Sequence, residues 1–179
     1  MSSLHADALA VLSTWAAPGA EQERLRRRYV EHLRARPDAM TRACRPDHLT
    51  ASTLVLSHDR SHVLLTLHAK AQRWFQLGGH CEPGDRTLAG AALREASEES
   101  GLADLVVSAA PVQLSEHAVP FCGEPVQGRA VHHLDVRYLA HAPRDAAYAV
   151  SDESLDLRWW PVDALPDDEL VDLVALALG

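Results

Sequence analysis

Residues 78–102 read GGHCEPGDRTLAGAALREASEESGL, a glycine-rich turn that runs into a short helix carrying Glu95, Glu98 and Glu99. Their spacing is i, i+3 and i+4, so the three carboxylates project from one side of the helix. Like charges placed so closely repel and weaken a bare helix. The arrangement makes physical sense around a hard divalent cation. Mg²⁺ takes oxygen ligands, keeps several waters and is usually shared with a phosphate-bearing substrate.

The stretch resembles the signature of the Nudix hydrolases: Gly, five residues, Glu, seven residues, Arg-Glu, an aliphatic, any residue, Glu-Glu, any residue, Gly, an aliphatic. Gly79 opens it and Arg94-Glu95-Ala96-Ser97-Glu98-Glu99-Ser100-Gly101-Leu102 closes it. There are three departures. Asp85 stands where Glu is usual, eight residues rather than seven separate it from Arg94, and Ala96 replaces a bulkier aliphatic. The first two fall where the loop enters the helix and can be absorbed there. The register from Arg94 to Leu102, which fixes the carboxylate face, is intact. An isolated Glu-x-x-Glu-Glu is usually a solvated face, but this loop in front of it favours a site.

The resemblance implies hydrolysis of a nucleoside diphosphate linked to another moiety: a nucleotide sugar, dinucleotide, ADP-ribose-like compound or (d)NTP. It also implies Mg²⁺ or Mn²⁺ as cofactor and a small-molecule diphosphate as partner. Glu95, Glu98 and Glu99 would be helix ligands, with the Gly78 carbonyl as a further one. Glu95 is a ligand or the general base, Glu98 shares the catalytic role, and Arg94 would orient a carboxylate through an ion pair. Asp85 would brace the loop. Some relatives add a carboxylate from a loop before the last strand, where Glu153 is the best match, Asp152 and Asp156 are neighbours, and Glu116 is weaker. The rival reading from another class is a Nudix-fold nucleotide-binding regulatory module without turnover. A diphosphate isomerase lacks a suitable cysteine context, and the acidic body counts against an RNA-processing enzyme.

Outward from the signature, the pattern is that of strands. Ala51 to Ser57 and His62 to His68 flank a turn at His58-Asp59-Arg60-Ser61, and Arg73 to Leu77 leads into the glycines. Leu105 to Ser108, Val112 to His117, His132 to Ala140 and Leu155 to Val162 are further strands, and Asp167 to Leu178 a closing helix. Upstream, Ser3 to Ala16 and Glu21 to Arg36 have helical spacing, ended by Pro18-Gly19 and Pro37. Mixed strands with an internal and a terminal helix predict an α/β fold. That agrees with the α/β/α sandwich with a mixed sheet that the resemblance implies. Residues 1–47 are expected to be an N-terminal helical extension and 48–179 the Nudix domain.

His117, His132, His133 and Asp135 make a tempting second metal cluster. Alternation in a strand puts His132 on one face and His133 with Asp135 on the other, which argues against it. His133 or Asp135 lining a substrate pocket is the better reading. Trp74 is the aromatic candidate for stacking on a base or sugar; Trp159 and Trp160 are adjacent and face opposite sides.

The 179 residues, 47% hydrophobic and 23% charged, suit one sizeable core with an appendage. No apolar run approaches the ~20 residues of a membrane helix. The N-terminus has no basic region of the signal-peptide kind. Cys44, Cys81 and Cys122 are scattered without metal-type pairing, which favours reduced thiols in a cytoplasm. Residues 21–36 carry six Arg and three Glu, or +3, so the net charge of -8 leaves -11 for the rest. An acidic body makes nucleic acid an unlikely partner. The Arg-rich helix reads as a solvated face with salt-bridge partners, with a homodimer contact or phosphate-side clamp as alternatives.

Overall fold

Every residue of the strand β1 (Asp47–Leu56) is buried, because other elements cover both of its edges and both of its faces. The computed structural model describes residues 2–144, 146–150 and 154–179. Before β1 come helices α1 (Ser3–Thr14) and α2 (Gly19–Ala35). After it come β2 (His62–His68), β3 (Arg73–Phe75) and β4 (Leu77–His80), then helix α3 (Leu88–Ser100). Strands β5 (Val106–Val107), β6 (Gln113–Ala118), β7 (His132–His141) and β8 (Ser154–Pro161) follow. A 3₁₀ turn at Asp168–Leu170 leads into α4 (Val171–Leu178).

The eight strands form one mixed sheet. β1 pairs in parallel with β7 along its whole length, and the other pairings are antiparallel. β1 and β2 meet only at Val55↔Leu64 and Leu56↔Val63. Beyond that point they part, and residues 73–80 fill the opening: β3 pairs with β2, β4 with β1. The glycine pair is therefore held in the middle of the sheet, with Ser52 opposite Gly78 and Ala51 opposite Gly79.

Alternation along β1 divides the core. Leu49, Ala51 and Val55 face α1, α2 and α3. Leu54 and Leu56 face Leu170, Leu173 and Val174 of the C-terminal helix. The result is the α/β/α sandwich expected from the sequence, with α1 to α3 on one side and α4 on the other. Trp159 and Trp160 go to opposite faces, as adjacent strand residues must. The two N-terminal helices share the core on the α3 side: Leu4, Ala8, Leu12, Tyr29 and Leu33 pack with Leu88, Leu134 and Tyr138.

The Arg-rich helix is laced with ion pairs. Arg24 meets Glu21, and Arg26 and Arg27 meet Glu23. Arg28 reaches across to Asp47 at 2.8 Å and Glu116 at 2.6 Å. Glu116 is thereby committed to α2. Among the described residues, no helix is long and apolar enough to cross a membrane.

Candidate functional site

Thr87 caps α3: its hydroxyl accepts from the Gly90 N–H at 3.0 Å. The Asp7 carboxylate of α1 accepts from the Leu88 N–H at 2.8 Å, satisfying a second free donor of that helix end. Gly101, with φ of 66°, closes the helix in the left-handed conformation glycine favours. Leu88, Ala91, Ala92, Ala96 and Ser100 are the buried stripe. Ala96 is fully buried and packs with Val55 and Leu77. A small residue here lets the helix close on the sheet, and the Thr53 hydroxyl donates to the Ala92 carbonyl at 3.0 Å.

The opposite stripe carries the carboxylates. The Gly78 N–H donates to Glu99 at 2.8 Å. A Cβ on Gly79 would fall 2.8 Å from a Glu95 carboxylate oxygen, so that glycine leaves room for the acid. Arg94 ties the group together. It donates to Glu95 at 3.1 Å, to Glu98 at 2.8 Å, to both oxygens of Asp85 at 3.0 and 3.1 Å, and to the His80 carbonyl at 3.0 Å. Asp85 thus braces loop against helix. Burial alone would raise its pKa; Arg94 and the Glu82 N–H outweigh that and hold it below the usual range. Of the longer spacer, Arg86 and Thr87 lie before the helix begins at Leu88, and the register from Arg94 to Glu99 is continuous helix. Hard oxygen donors gathered this way on a loop–helix junction suit a divalent cation such as Mg²⁺.

The remaining candidates lie on the sheet face opposite α3, or outside the described residues. Trp74 packs edge-on against Trp160 at 5.2 Å between ring centres, with the Arg158 guanidinium over it at 5.6 Å. Asp135 is only 3% exposed. It accepts from Thr50 at 3.0 Å, Ser52 at 2.7 Å, Gln76 at 3.2 Å and Arg137 at 3.1 Å. Glu153 and Asp152 fall outside the described residues; Asp156 pairs with Arg158 at 2.6 Å. Cys81 is half-buried, and burial pushes its thiol up to about 12, which disfavours the thiolate.

His133 does not stand alone. It lies with His48 of β1, His80 of β4 and Cys122 of the β6–β7 loop in a partly buried pit. Burial, reinforced by neighbouring imidazoles, pushes His80 down to about 4 and His133 to about 3, so both rings are neutral near pH 7. His132 points the other way, toward the Ala130 carbonyl at 3.0 Å and Asp47 at 3.6 Å, as strand alternation requires. Cys122, scattered from the other cysteines along the chain, thus lies beside three imidazoles in space. No spacing in the sequence announces this group, because its members come from four separate segments. Alternation along the chain puts only His133 in a strand; His48 and His80 fall just outside the expected strands and are drawn into the sheet by the β1–β7 and β1–β4 pairings.

The family model for the NUDIX domain matches residues 46–175. Among curated proteins, none matches the chain in sequence. Among solved structures, a NUDIX-family hydrolase from Clostridium perfringens is 23% identical at a TM-score of 0.56, covering 73% of this chain and 95% of that one. The NUDIX domain of Shewanella oneidensis NrtR, complexed with ADP ribose, is 18% identical at 0.57, covering 83% and 95%. A C. elegans Ap4A hydrolase binary complex is 17% identical at 0.55, covering 72% and 93%.

Proposed function

The chain belongs to the Nudix hydrolase family, and on that premise we propose that it is a Mg²⁺- or Mn²⁺-dependent pyrophosphohydrolase acting on a nucleoside diphosphate linked to another moiety. The observation that carries this reading is the Arg94-bound carboxylate face, Glu95, Glu98 and Glu99, set against the Gly78-Gly79 turn. Glu95, Glu98, Glu99 and the Gly78 carbonyl would hold the cation, with Glu153 as a further ligand. A bound divalent ion would neutralise the diphosphate and lower the pKa of the attacking water.

The residues of the chain then do the following. Arg94 holds Glu95 and Glu98 in place through charge-assisted hydrogen bonds. The Gly78 N–H fixes Glu99. A water oxygen attacks one phosphorus, its proton passes to Glu95 or Glu98, and the other phosphate leaves with the bridging oxygen. Trp74 and His133 contribute to the substrate-facing side of the sheet. Asp135, enclosed by four donors, orders the strands beneath that surface. The reduced thiols suit a cytoplasmic site of action.

The test is incubation with Mg²⁺ or Mn²⁺ and a panel of nucleotide sugars, dinucleotides, ADP-ribose and (d)NTPs, beside Glu99→Gln. ADP-ribose and dinucleotides come first, since structures of like fold bind ADP ribose or hydrolyse Ap4A. Metal-dependent cleavage lost about a thousandfold in the variant supports the hydrolase. Absence of turnover, together with a metal-dependent thermal shift on one nucleotide, transfers the assignment to a binding module.

A further inference from the structure

We propose that His48, His80, Cys122 and His133 form a structural Zn²⁺ site that clamps the β6–β7 loop to the sheet and steadies the signature turn. The four ligand atoms all lie within 4.8 Å of one another. His48 Nε2 is 3.1 Å from His80 Nε2, and Cys122 Sγ is 3.8 Å from His48 Nε2, 3.3 Å from His80 Nε2 and 3.4 Å from His133 Nε2. A tetrahedral zinc with Zn–N of about 2.05 Å and Zn–S of about 2.3 Å sets its nitrogens about 3.3 Å apart and nitrogen from sulfur about 3.5 Å. The four distances from His80 to His48 and from Cys122 to each imidazole lie close to those edges; His133 lies within 4.8 Å of the other two rings' ligand atoms and would draw in on binding.

The surroundings are those of a metal ligand shell. His48 Nδ1 lies 3.2 Å from the Cys44 carbonyl, which can only accept, so Nδ1 carries the proton and Nε2 presents its lone pair to the pit. Three imidazoles and a thiol are soft-to-borderline donors, a set for zinc and not for Mg²⁺. Four protein ligands leave no open position, which makes the site structural. The donors are brought together by pairing: His48 is the register partner of His133, and His80 that of Thr50, two residues along the same face of β1.

The placement gives the site a purpose. Cys122 lies among Val119 and Val131 in the small apolar cluster of its loop, so a bond to its sulfur would tie down that segment. His80 follows Gly79 directly, and its carbonyl accepts from Arg94. A metal on the His80 ring would thus fix the backbone that Arg94 reads. The carboxylates of the diphosphate chemistry are a donor set separate from the four side chains of the pit.

Two measurements on the whole chain decide it. Mass-spectrometric metal analysis after exhaustive dialysis without chelator is expected to find about one zinc per chain. Co²⁺ added to chelator-stripped protein is expected to give four-coordinate visible bands and a thiolate-to-metal absorption. Cys122→Ser and His133→Gln should each remove the thiolate band or the geometry and weaken zinc binding about a hundredfold. His132→Ala, one residue away on the opposite face, and Glu99→Gln should keep both. If one variant fails to fold, the other and the wild-type spectra still decide. A folded wild type that retains no zinc and shows no thiolate–Co²⁺ band overturns the proposal, as does zinc binding indifferent to both variants. The pit would then be a hydrogen-bonded group of imidazoles and a thiol.

Discussion

The carboxylate face of α3 and the histidine–cysteine pit lie on either side of residues 78–80, yet they are built in opposite ways. Helix periodicity alone brings Glu95, Glu98 and Glu99 together, within five consecutive residues. The pit draws one residue each from β1, β4, the β6–β7 loop and β7, so 85 positions separate its first member, His48, from its last, His133. A site built on one turn of helix survives strand slippage elsewhere. A site built from strand registers exists only if every register is right. Arg94 joins the two, because it holds the acids with one end and the His80 carbonyl with the other.

The largest expected effect separates chemistry from framework. Glu99→Gln should lower metal-dependent turnover about a thousandfold, roughly 4 kcal/mol, while the urea midpoint stays unchanged or rises as like-charge repulsion is relieved. A variant that unfolds instead would make the helix face part of the framework. Gly78→Ala comes next. Its Cβ would collide with Ser52 Cβ on a backbone with φ of +156°, so the β1–β4 pairing must open. A loss of about 3 kcal/mol in equilibrium unfolding is expected; a neutral result would show that the pairing does not depend on close approach.

Arg94→Ala tests the link between the two regions. It strips Asp85 and Glu95 of their cation, and about 2 kcal/mol of stability should go with it, since the guanidinium is partly exposed. Hydrogen exchange should quicken at both the Gly79–Asp85 loop and the start of α3. Exchange confined to one of them would break the coupling. Thr87→Ala removes the cap of α3 and should cost about 1 kcal/mol, read as a shift in chemical denaturation. Arg27→Ala, on an exposed pair with Glu23, should change stability by less than about 0.5 kcal/mol. A larger effect there would mean that the α2 surface is covered in solution.

Much of the fold was legible because its signals are local. Strands at His62–His68, His132–His141 and Ser154–Pro161 lie where alternation put them, within a residue or so. The departures at Asp85 and Ala96 read as imperfections along the chain but have reasons in space. Asp85 reaches Arg94 despite its shorter side chain, and Ala96 lets α3 sit close to the sheet. β1 begins at Asp47, four residues before the expected start, because β7 pairs along that stretch and no local propensity announces it. His48 is thereby drawn into the sheet. Glu116, the weaker candidate acid, is met by Arg28 of α2, a partner that no spacing along the chain announces.

What the sequence by itself determined is the helix that ends in Gly101, its single acidic face, the glycine turn before it and the alternating strands around it. These follow from dihedral preferences and side-chain periods that act over a few residues. Only the tertiary structure decided which acid meets which arginine, that Asp135 is sealed beneath the sheet surface, and that three histidines and a cysteine share one pit. Those outcomes depend on β1 pairing with β4 and β7 in one register, a free energy shared among residues far apart in the chain.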